Sequence, residues 1–130
     1  MIDHLSSYTT DYPAARAFYV AALGSLGHEI HTEMVASWDP TFPERRCCAF
    51  GVERPLFWVI EVREPATPRH VAFTAASRTA VQDFHRAALA AGGRDHGEPG
   101  LRPEYHEHYF GGFVLDPDDN NVEAVCHQAV

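Results

Sequence analysis

The sequence predicts an α+β fold built from two tandem βαβββ modules. The main observation is an internal repeat, because residues 4–27 recur in register sixty-six positions later. The matching pairs include His4 with His70, Phe18 with Phe84, and Gly27 with Gly93. Both halves also end on a β-prone segment that contains a glutamate, and these segments are Ile60-Glu61 and Val122-Glu123. In each half a strand-like segment precedes an amphipathic helix and further strands, which is the order of a βαβββ module.

The first half predicts one helix among four strands. Residues 1–8 alternate as a strand does, and Asp11 is a suitable N-cap for the helix that follows, with Pro13 tolerated in its first turn. The apolar stripe of this helix consists of Ala15, Phe18, Tyr19, Ala22, Leu23 and Leu26. Gly27 suits the exit from the helix. Three further strands are predicted over residues 28–35, 46–52 and 57–62.

The second half repeats this order. Residues 69–75 predict a strand, and Ser77 is the N-cap of a helix whose stripe consists of Val81, Phe84, His85, Ala88 and Leu89. Residues 97–109 are rich in turn formers and aromatic residues, and predict a loop. The last two strands, 110–115 and 121–126, flank a turn at 116–120. We therefore expect one domain over residues 1–130, with module one at 1–62, a linker at 63–68 and module two at 69–130.

Composition excludes several classes of function. The chain has 130 residues, of which 45% are apolar, so it can bury the core of one domain. A net charge of -8 without a basic run argues against binding nucleic acid. No apolar stretch approaches the ~20 residues that span a membrane, and the start does not resemble a signal peptide. Three cysteines, an odd number, argue against a disulfide framework, so the expected location is cytoplasmic.

The sequence contains three short motifs, which are residues 70–73 (HVAF), residues 113–118 (FVLDPD) and residues 120–123 (NNVE). These motifs resemble those of the vicinal oxygen chelate superfamily, which includes glyoxalase I, bleomycin-resistance proteins, fosfomycin-modifying enzymes and ring-cleaving dioxygenases. Residues 105–109 (YHEHY) resemble a loop of a glyoxalase-like subgroup. The resemblance implies two modules with curled mixed sheets around a metal-binding cleft. Asp119 stands where the family usually has Gly, at a position that needs a positive φ, which Asp tolerates.

The resemblance also implies a metal site. By position, His4, His70 and Glu123 match the two-His-one-Glu set, and Glu61 matches a fourth ligand found in glyoxalase I. The expected cofactor is a divalent ion, which is Zn, Ni, Fe, Mn or Co. Strand alternation places His70 on the face opposite Phe73, which is compatible with a ligand facing a cleft. Glu61 is open to three interpretations: a ligand, a general base, or a charged residue at the end of a strand.

Several further side chains are candidates for roles beside the metal. Phenol and imidazole groups of the predicted loop could move a proton, and the candidates are Tyr105, His106 and Tyr109, together with Glu61. The candidates for binding a substrate are Arg102, which suits a carboxylate or phosphate, His108 and Trp58. The alternative for the loop residues is an ordinary surface loop. His127 lies near the C-terminus, where we do not expect a ligand.

The leading hypothesis is a metal-dependent lyase or isomerase that chelates a small oxygen-bearing substrate and stabilises an enolate or oxyanion. One alternative is a metal-free protein that binds a drug or metabolite, as bleomycin-resistance proteins do. Another is an iron-dependent dioxygenase, although such enzymes are usually longer than this chain. The resemblance further implies a homodimer, and leaves open whether His4 meets His70 of its own chain or of a partner.

Overall fold

The structure is a computed structural model that describes residues 1–130, and it has the predicted α+β fold of two tandem βαβββ modules. In the first module the elements are β1 (Leu5–Thr9), α1 (Tyr12–Gly24), β2 (Ile30–Val35), β3 (Arg46–Phe50) and β4 (Phe57–Glu61). In the second they are β5 (His70–Thr74), α2 (Arg78–Ala90), β6 (Arg94–Leu101), β7 (Phe110–Leu115) and β8 (Asn121–Cys126). Neither helix is long and apolar enough to cross a membrane.

Each module forms a four-stranded mixed sheet with the same topology. The strand orders are β1-β4-β3-β2 and β5-β8-β7-β6, and in each sheet the first and last strands of the module pair in parallel. The helix starts agree with the sequence, since the side chains of Asp11 and Ser77 accept hydrogen bonds from backbone N–H groups in the first turns. Gly27 adopts a positive φ of 88° after α1, and Asp119 has a φ of 67°, as predicted for the turn before β8.

Strand β6 is the main difference from the sequence-based prediction, which assigned part of this segment to a loop. Residues 94–101 contain Gly97, Pro99 and Gly100, and their pairing with β7 is interrupted by two shifts of register. These irregularities remove the alternation by which a strand is recognised in a sequence. The loop between β6 and β7 is therefore residues 102–109.

One apolar core joins the two modules. It contains 18 buried residues drawn from both halves, with α1 and α2 packed together. Phe57 of β4 meets Phe73 of β5 edge to face at 5.1 Å between ring centroids. The hydroxyl of Tyr19 in α1 donates to the buried Asp116 at 2.5 Å, so the turn before β8 is tied to the first module.

Each sheet consequently has a face packed on the helices and a face without them, which we call the helix-free face. In β5, Val71 and Phe73 pack against the core, whereas His70, Ala72 and Thr74 are exposed. The alternation predicted for β5 is thus confirmed. The same pattern in β4 buries Phe57 and Val59 and leaves Trp58 and Ile60 half-buried. The helix-free faces are therefore open to a ligand, and that of β5 carries His70.

Candidate functional site

The second module brings three of the predicted side chains together on its helix-free face. Strand register pairs Ala72 with Glu123, which places His70 two residues away on the same face. The Nε2 atom of His70 lies 2.9 Å from Oε1 of Glu123. The hydroxyl of Tyr109 donates to Oε2 of the same carboxylate. The result is a row of imidazole, carboxylate and phenol, which we call the His70–Glu123–Tyr109 row.

Glu123 is the most buried member of this row. It is 1% exposed, whereas the side chain of His70 is 53% exposed. Gly111 makes room for the contact, because a Cβ there would lie 3.0 Å from Oε2 of Glu123 and 3.1 Å from Cε1 of Tyr109. Burial, followed by the hydrogen bond to Glu123, raises the pKa of Tyr109 well above its usual value. Tyr109 therefore remains a hydroxyl donor at neutral pH, and holds the carboxylate in one orientation.

The donor atoms of the row fit a divalent metal ion. Neighbouring ligand atoms around an octahedral ion, each bonded at about 2.1 Å, lie about 3.0 Å apart. The separation of 2.9 Å between Nε2 of His70 and Oε1 of Glu123 matches that spacing. An imidazole and a carboxylate are also ligands that Zn, Ni, Fe, Mn and Co accept. Two protein ligands alone hold such an ion weakly.

His4 does not join the row within the chain. No group of three or more His, Cys, Asp or Glu side chains is arranged to hold a metal ion. His4 instead lines an open cavity of about 430 Å³ on the helix-free face of the first module, together with Trp58 and Ile60. Its Nδ1 atom is 2.7 Å from Oδ1 of Asp3, a contact that leaves Nε2 available.

Glu61 is placed on the other face of the first sheet. It lies two residues after Val59 and four after Phe57, both buried, and so shares their helix-side face. Nε and Nη2 of Arg46 donate to its two carboxylate oxygens, at 3.0 Å and 2.6 Å. These hydrogen bonds hold the pKa of Glu61 below its usual value. The structure therefore does not bring Glu61 together with His4, His70 or Glu123.

Strand register also changes the correspondence between the modules. The sequence repeat suggests that Glu61 answers Glu123. In the first module, however, Ser6 pairs with Trp58, and in the second the equivalent Ala72 pairs with Glu123. The residue that occupies the position of Glu123 in the first module is Trp58.

The loop over residues 102–109 lies beside the row. The guanidinium of Arg102 lies over the ring of Phe113 at 5.3 Å, and Phe113 pairs with Glu123 across β7 and β8. The Tyr105 ring contacts Tyr109 at 4.9 Å between centroids. His108 is half-buried and pairs with the neighbouring Glu107 at 3.3 Å. Among the predicted loop residues, Tyr105 and His106 thus have rings next to that of Tyr109.

His127 is a neighbour of the site that sequence reasoning set aside. Its Nδ1 atom lies 2.9 Å from Nε2 of His106, and its ring is 5.3 Å from that of Tyr109. The Nδ1 atom of His106 accepts a hydrogen bond from the backbone N–H of His108. In the neutral form, Nε2 of His106 therefore carries the proton and donates to His127. His127 is four residues after Glu123, and an even spacing along a strand puts two side chains nominally on the same face. This spacing was the signal in the sequence that His127 could lie near the site.

Comparison with known proteins agrees with this architecture. The family model described as Glyoxalase/Bleomycin resistance protein/Dioxygenase superfamily matches residues 1–124. A glyoxalase/bleomycin resistance protein from Albidiferax ferrireducens has 25% identity and a TM-score of 0.75, and the match covers 98% of this chain and 99% of that chain. No protein of the curated set matches.

Two more distant structures share the fold alone. A lactoylglutathione lyase from Agrobacterium tumefaciens has 19% identity and a TM-score of 0.67, with 97% of this chain and 92% of that chain covered. A mutant of the fosfomycin resistance protein FosX from Listeria monocytogenes, complexed with Mn(II) and a dihydroxypropylphosphonic acid, has 14% identity and a TM-score of 0.63. That match covers 96% of this chain and 88% of the other.

Proposed function

Because the chain belongs to the glyoxalase/bleomycin resistance protein/dioxygenase superfamily, we propose that it is a metal-dependent enzyme of the lyase or isomerase type. Its substrate is a small molecule that chelates the metal through oxygen atoms. The observation that carries this proposal is the His70–Glu123–Tyr109 row, in which an imidazole nitrogen and a carboxylate oxygen lie 2.9 Å apart and a phenol donates to the same carboxylate. The FosX structure provides a relative with a divalent ion, Mn(II), and an oxygen-rich ligand.

In this proposal His4, His70 and Glu123 hold the metal. When bound, a divalent ion supplies Lewis-acid polarisation of the substrate oxygens. Asp3 contacts Nδ1 of His4, which would leave Nε2 to hold the ion, as carboxylates behind metal-binding histidines do in many metal sites. Tyr109 likewise orients the carboxylate of Glu123, to which its hydroxyl donates. Glu61 takes no part, because it is paired with Arg46 on the other face of its sheet.

A second copy of the chain supplies the third ligand. Packing within the chain uses the helix-side faces, so the helix-free faces that carry His4 and His70 remain available to a partner. Exposed apolar side chains accompany both parts of the site, since Ile2 is two residues before His4 and the ring of Tyr105 packs on Tyr109. A two-fold dimer would place His4 of each copy beside His70 and Glu123 of the other, and would bury these side chains.

The loop residues bind the substrate and move its proton. Arg102, whose guanidinium lies over Phe113, suits an anionic group of the substrate. The pair of His106 and His127 can pass a proton through Nε2 of His106, since imidazole exchanges protons near neutral pH. Tyr105 and His108 contact the substrate from the same loop.

The proposal is tested by metal content in complementing variants. His4→Ala and His70→Ala should each bind no stoichiometric Co(II) alone. If the site lies between copies, refolding the two variants together forms mixed dimers in which one of the two sites is intact. The mixture then recovers about a quarter of the wild-type metal per chain.

The outcomes distinguish three arrangements. If the mixed variants recover no Co(II) binding while the wild-type protein binds one equivalent of Co(II) per chain, the site lies within one chain. A monomer in sedimentation analysis would give the same conclusion. If wild-type protein binds no metal at all, the metal-dependent enzyme is refuted, and a metal-free binding protein becomes the better account of the cavity beside Trp58.

A further inference from the structure

We propose that the cavity between α2 and β6 binds a small zwitterion of the amino-acid type. This cavity, which we call the α2–β6 cavity, has a volume of about 510 Å³, within the range of about 300–1,000 Å³ that small-molecule sites occupy. It lies on the helix side of the second sheet, away from the His70–Glu123–Tyr109 row, so the inference does not require the metal centre. Its lining residues are Gln82, His85, Arg86, Leu89, Glu98 and Pro99.

The cavity lies between one face of α2 and an irregular strand. The residues that α2 contributes follow the spacing i, i+3, i+4 and i+7, so they share one face of the helix. On the other side, the pairing of β6 with β7 shifts register beside Gly97 and again before Gly100. A bulged strand bends, and the cavity occupies the space between this strand and the helix.

His85 is the buried polar residue of the cavity. Its Nε2 atom lies 2.9 Å from Oδ1 of Asp95, which also accepts a hydrogen bond from the backbone N–H of Gly97 at 3.0 Å. The hydrogen bond from Gly97, followed by that from His85, lowers the pKa of Asp95. Asp95 is therefore a carboxylate that can only accept, and Nε2 of His85 carries the hydrogen between them. In the neutral form of His85, Nδ1 is then an acceptor without a hydrogen.

This acceptor has no partner within the protein. The side chain of His85 is 10% exposed, its ring makes one hydrogen bond, through Nε2, and Nδ1 is not sealed from solvent. A structural link between α2 and β6 would use Nε2 alone. Because an unpaired acceptor in a mostly buried ring costs free energy, Nδ1 favours a donor that reaches it from the cavity.

The charged side chains around the cavity define the groups of the ligand. Nη1 of Arg86 donates to Asp83 at 2.9 Å, which leaves the other guanidinium nitrogens for a carboxylate of the ligand. Glu98 contributes a carboxylate to the lining, and its backbone carbonyl accepts from Arg102 on the other side. The carboxylate of Glu98 and Nδ1 of His85 are both acceptors, so together they suit an ammonium group.

The charge of the whole protein favours a zwitterion over a simple anion. A net charge of -8 repels anions at long range, whereas a molecule with one ammonium and one carboxylate has no net charge. Leu89 and Pro99 add apolar surface to the lining. The α2–β6 cavity thus suits an α-amino acid with a short aliphatic side chain.

NMR titration of the isotope-labelled full chain tests the site with three probes. L-Valine should shift the backbone amide signals of residues 82–89 and 94–98, and should saturate at millimolar concentrations. Isobutylamine is valine without the carboxylate, and isovalerate is valine without the ammonium. Each should bind at least about tenfold more weakly, because each lacks one charged hydrogen-bonding group. No saturable shift from L-valine in these segments, or equal affinity for the three probes, would overturn the proposal.

Two pairs of variants test the charged groups. Arg86→Gln should weaken L-valine binding about tenfold, whereas Asp83→Asn breaks the same surface ion pair, keeps the guanidinium, and should retain wild-type affinity. Glu98→Gln should also weaken binding about tenfold, and Glu53→Gln is its control, with the same change of charge in the connection between β3 and β4. Wild-type affinity in Arg86→Gln and Glu98→Gln, or equal losses in each variant and its control, would contradict the assigned contacts.

The contact with His85 has a direct spectroscopic readout. Long-range proton–nitrogen spectra distinguish the protonated Nε2 from the bare Nδ1, and a His85→Phe variant assigns the two signals by removing them. L-Valine should shift the Nδ1 signal, since its ammonium donates there, and should leave Nε2 nearly unchanged, since Nε2 stays bonded to Asp95. An Nδ1 signal that saturating L-valine leaves in place would show that His85 does not contact the ligand.

Discussion

Tyr109→Phe removes one hydroxyl from the row and should weaken metal binding. That hydroxyl donates to the carboxylate of Glu123, which is 1% exposed, so water cannot readily take its place. A hydrogen bond to a charged group contributes about 1.5–3 kcal/mol, and burial of the acceptor favours the upper part of that range. At about 1.4 kcal/mol for each factor of ten, the affinity for Co(II) should fall between about tenfold and a hundredfold.

Isothermal titration of the metal-free protein near neutral pH measures this change directly. Tyr105→Phe is the matched control, because Tyr105 is 63% exposed and its ring packs on Tyr109 without sharing the carboxylate. Circular dichroism should show that both variants keep the fold. Unchanged Co(II) affinity in Tyr109→Phe, or an equal loss in both variants, would refute the idea that the phenol orients a metal ligand.

Three further changes test the fold around the site. Glu61→Gln should lower the free energy of unfolding by about 1 kcal/mol in urea denaturation and leave Co(II) affinity unchanged. Because Arg46 lowers the folded-state pKa of Glu61, this contribution to stability is present above the ordinary carboxyl pKa and is lost as the pH falls through the lowered value. A difference in unfolding free energy between wild-type and Glu61→Gln protein that grows in acid would contradict this. Gly111→Ala should weaken Co(II) binding, as its methyl group would press on Glu123, and wild-type affinity would refute that contact. Tyr19→Phe should cost about 2 kcal/mol of stability in thermal unfolding, since a buried carboxylate loses a donor, whereas a neutral effect would show that the bond is replaceable.

Local patterns predicted most of the fold. The helix stripes and their N-caps depend on residues a few positions apart, and α1 and α2 begin directly after Asp11 and Ser77 as expected. Alternation in β5 likewise predicted which side of the strand His70 would take. Strand β6 was not located, because its pairing with β7 is broken by register shifts at Gly97 and Gly100, and such bulges leave no period of two in the sequence.

The candidate site was predicted only in part. The terminal motif indicated His70 and Glu123, and the structure places them in contact. The alignment of the repeat matched Glu61 with Glu123, whereas pairing along β1 and β4 puts Trp58 in that position. Glu61 lies three residues beyond Trp58, and an odd displacement along a strand moves a side chain to the opposite face of the sheet.

Short-range periodicity in a duplicated chain predicts the two modules, their helices and the side of β5 on which His70 lies. The tertiary fold is needed to define which carboxylate meets which histidine. That choice depends on the register of parallel strands whose partners are about fifty residues apart, as His70 and Glu123 are. Hydrogen bonds between distant strands fix this register, and the local sequence pattern repeats every two residues without specifying it.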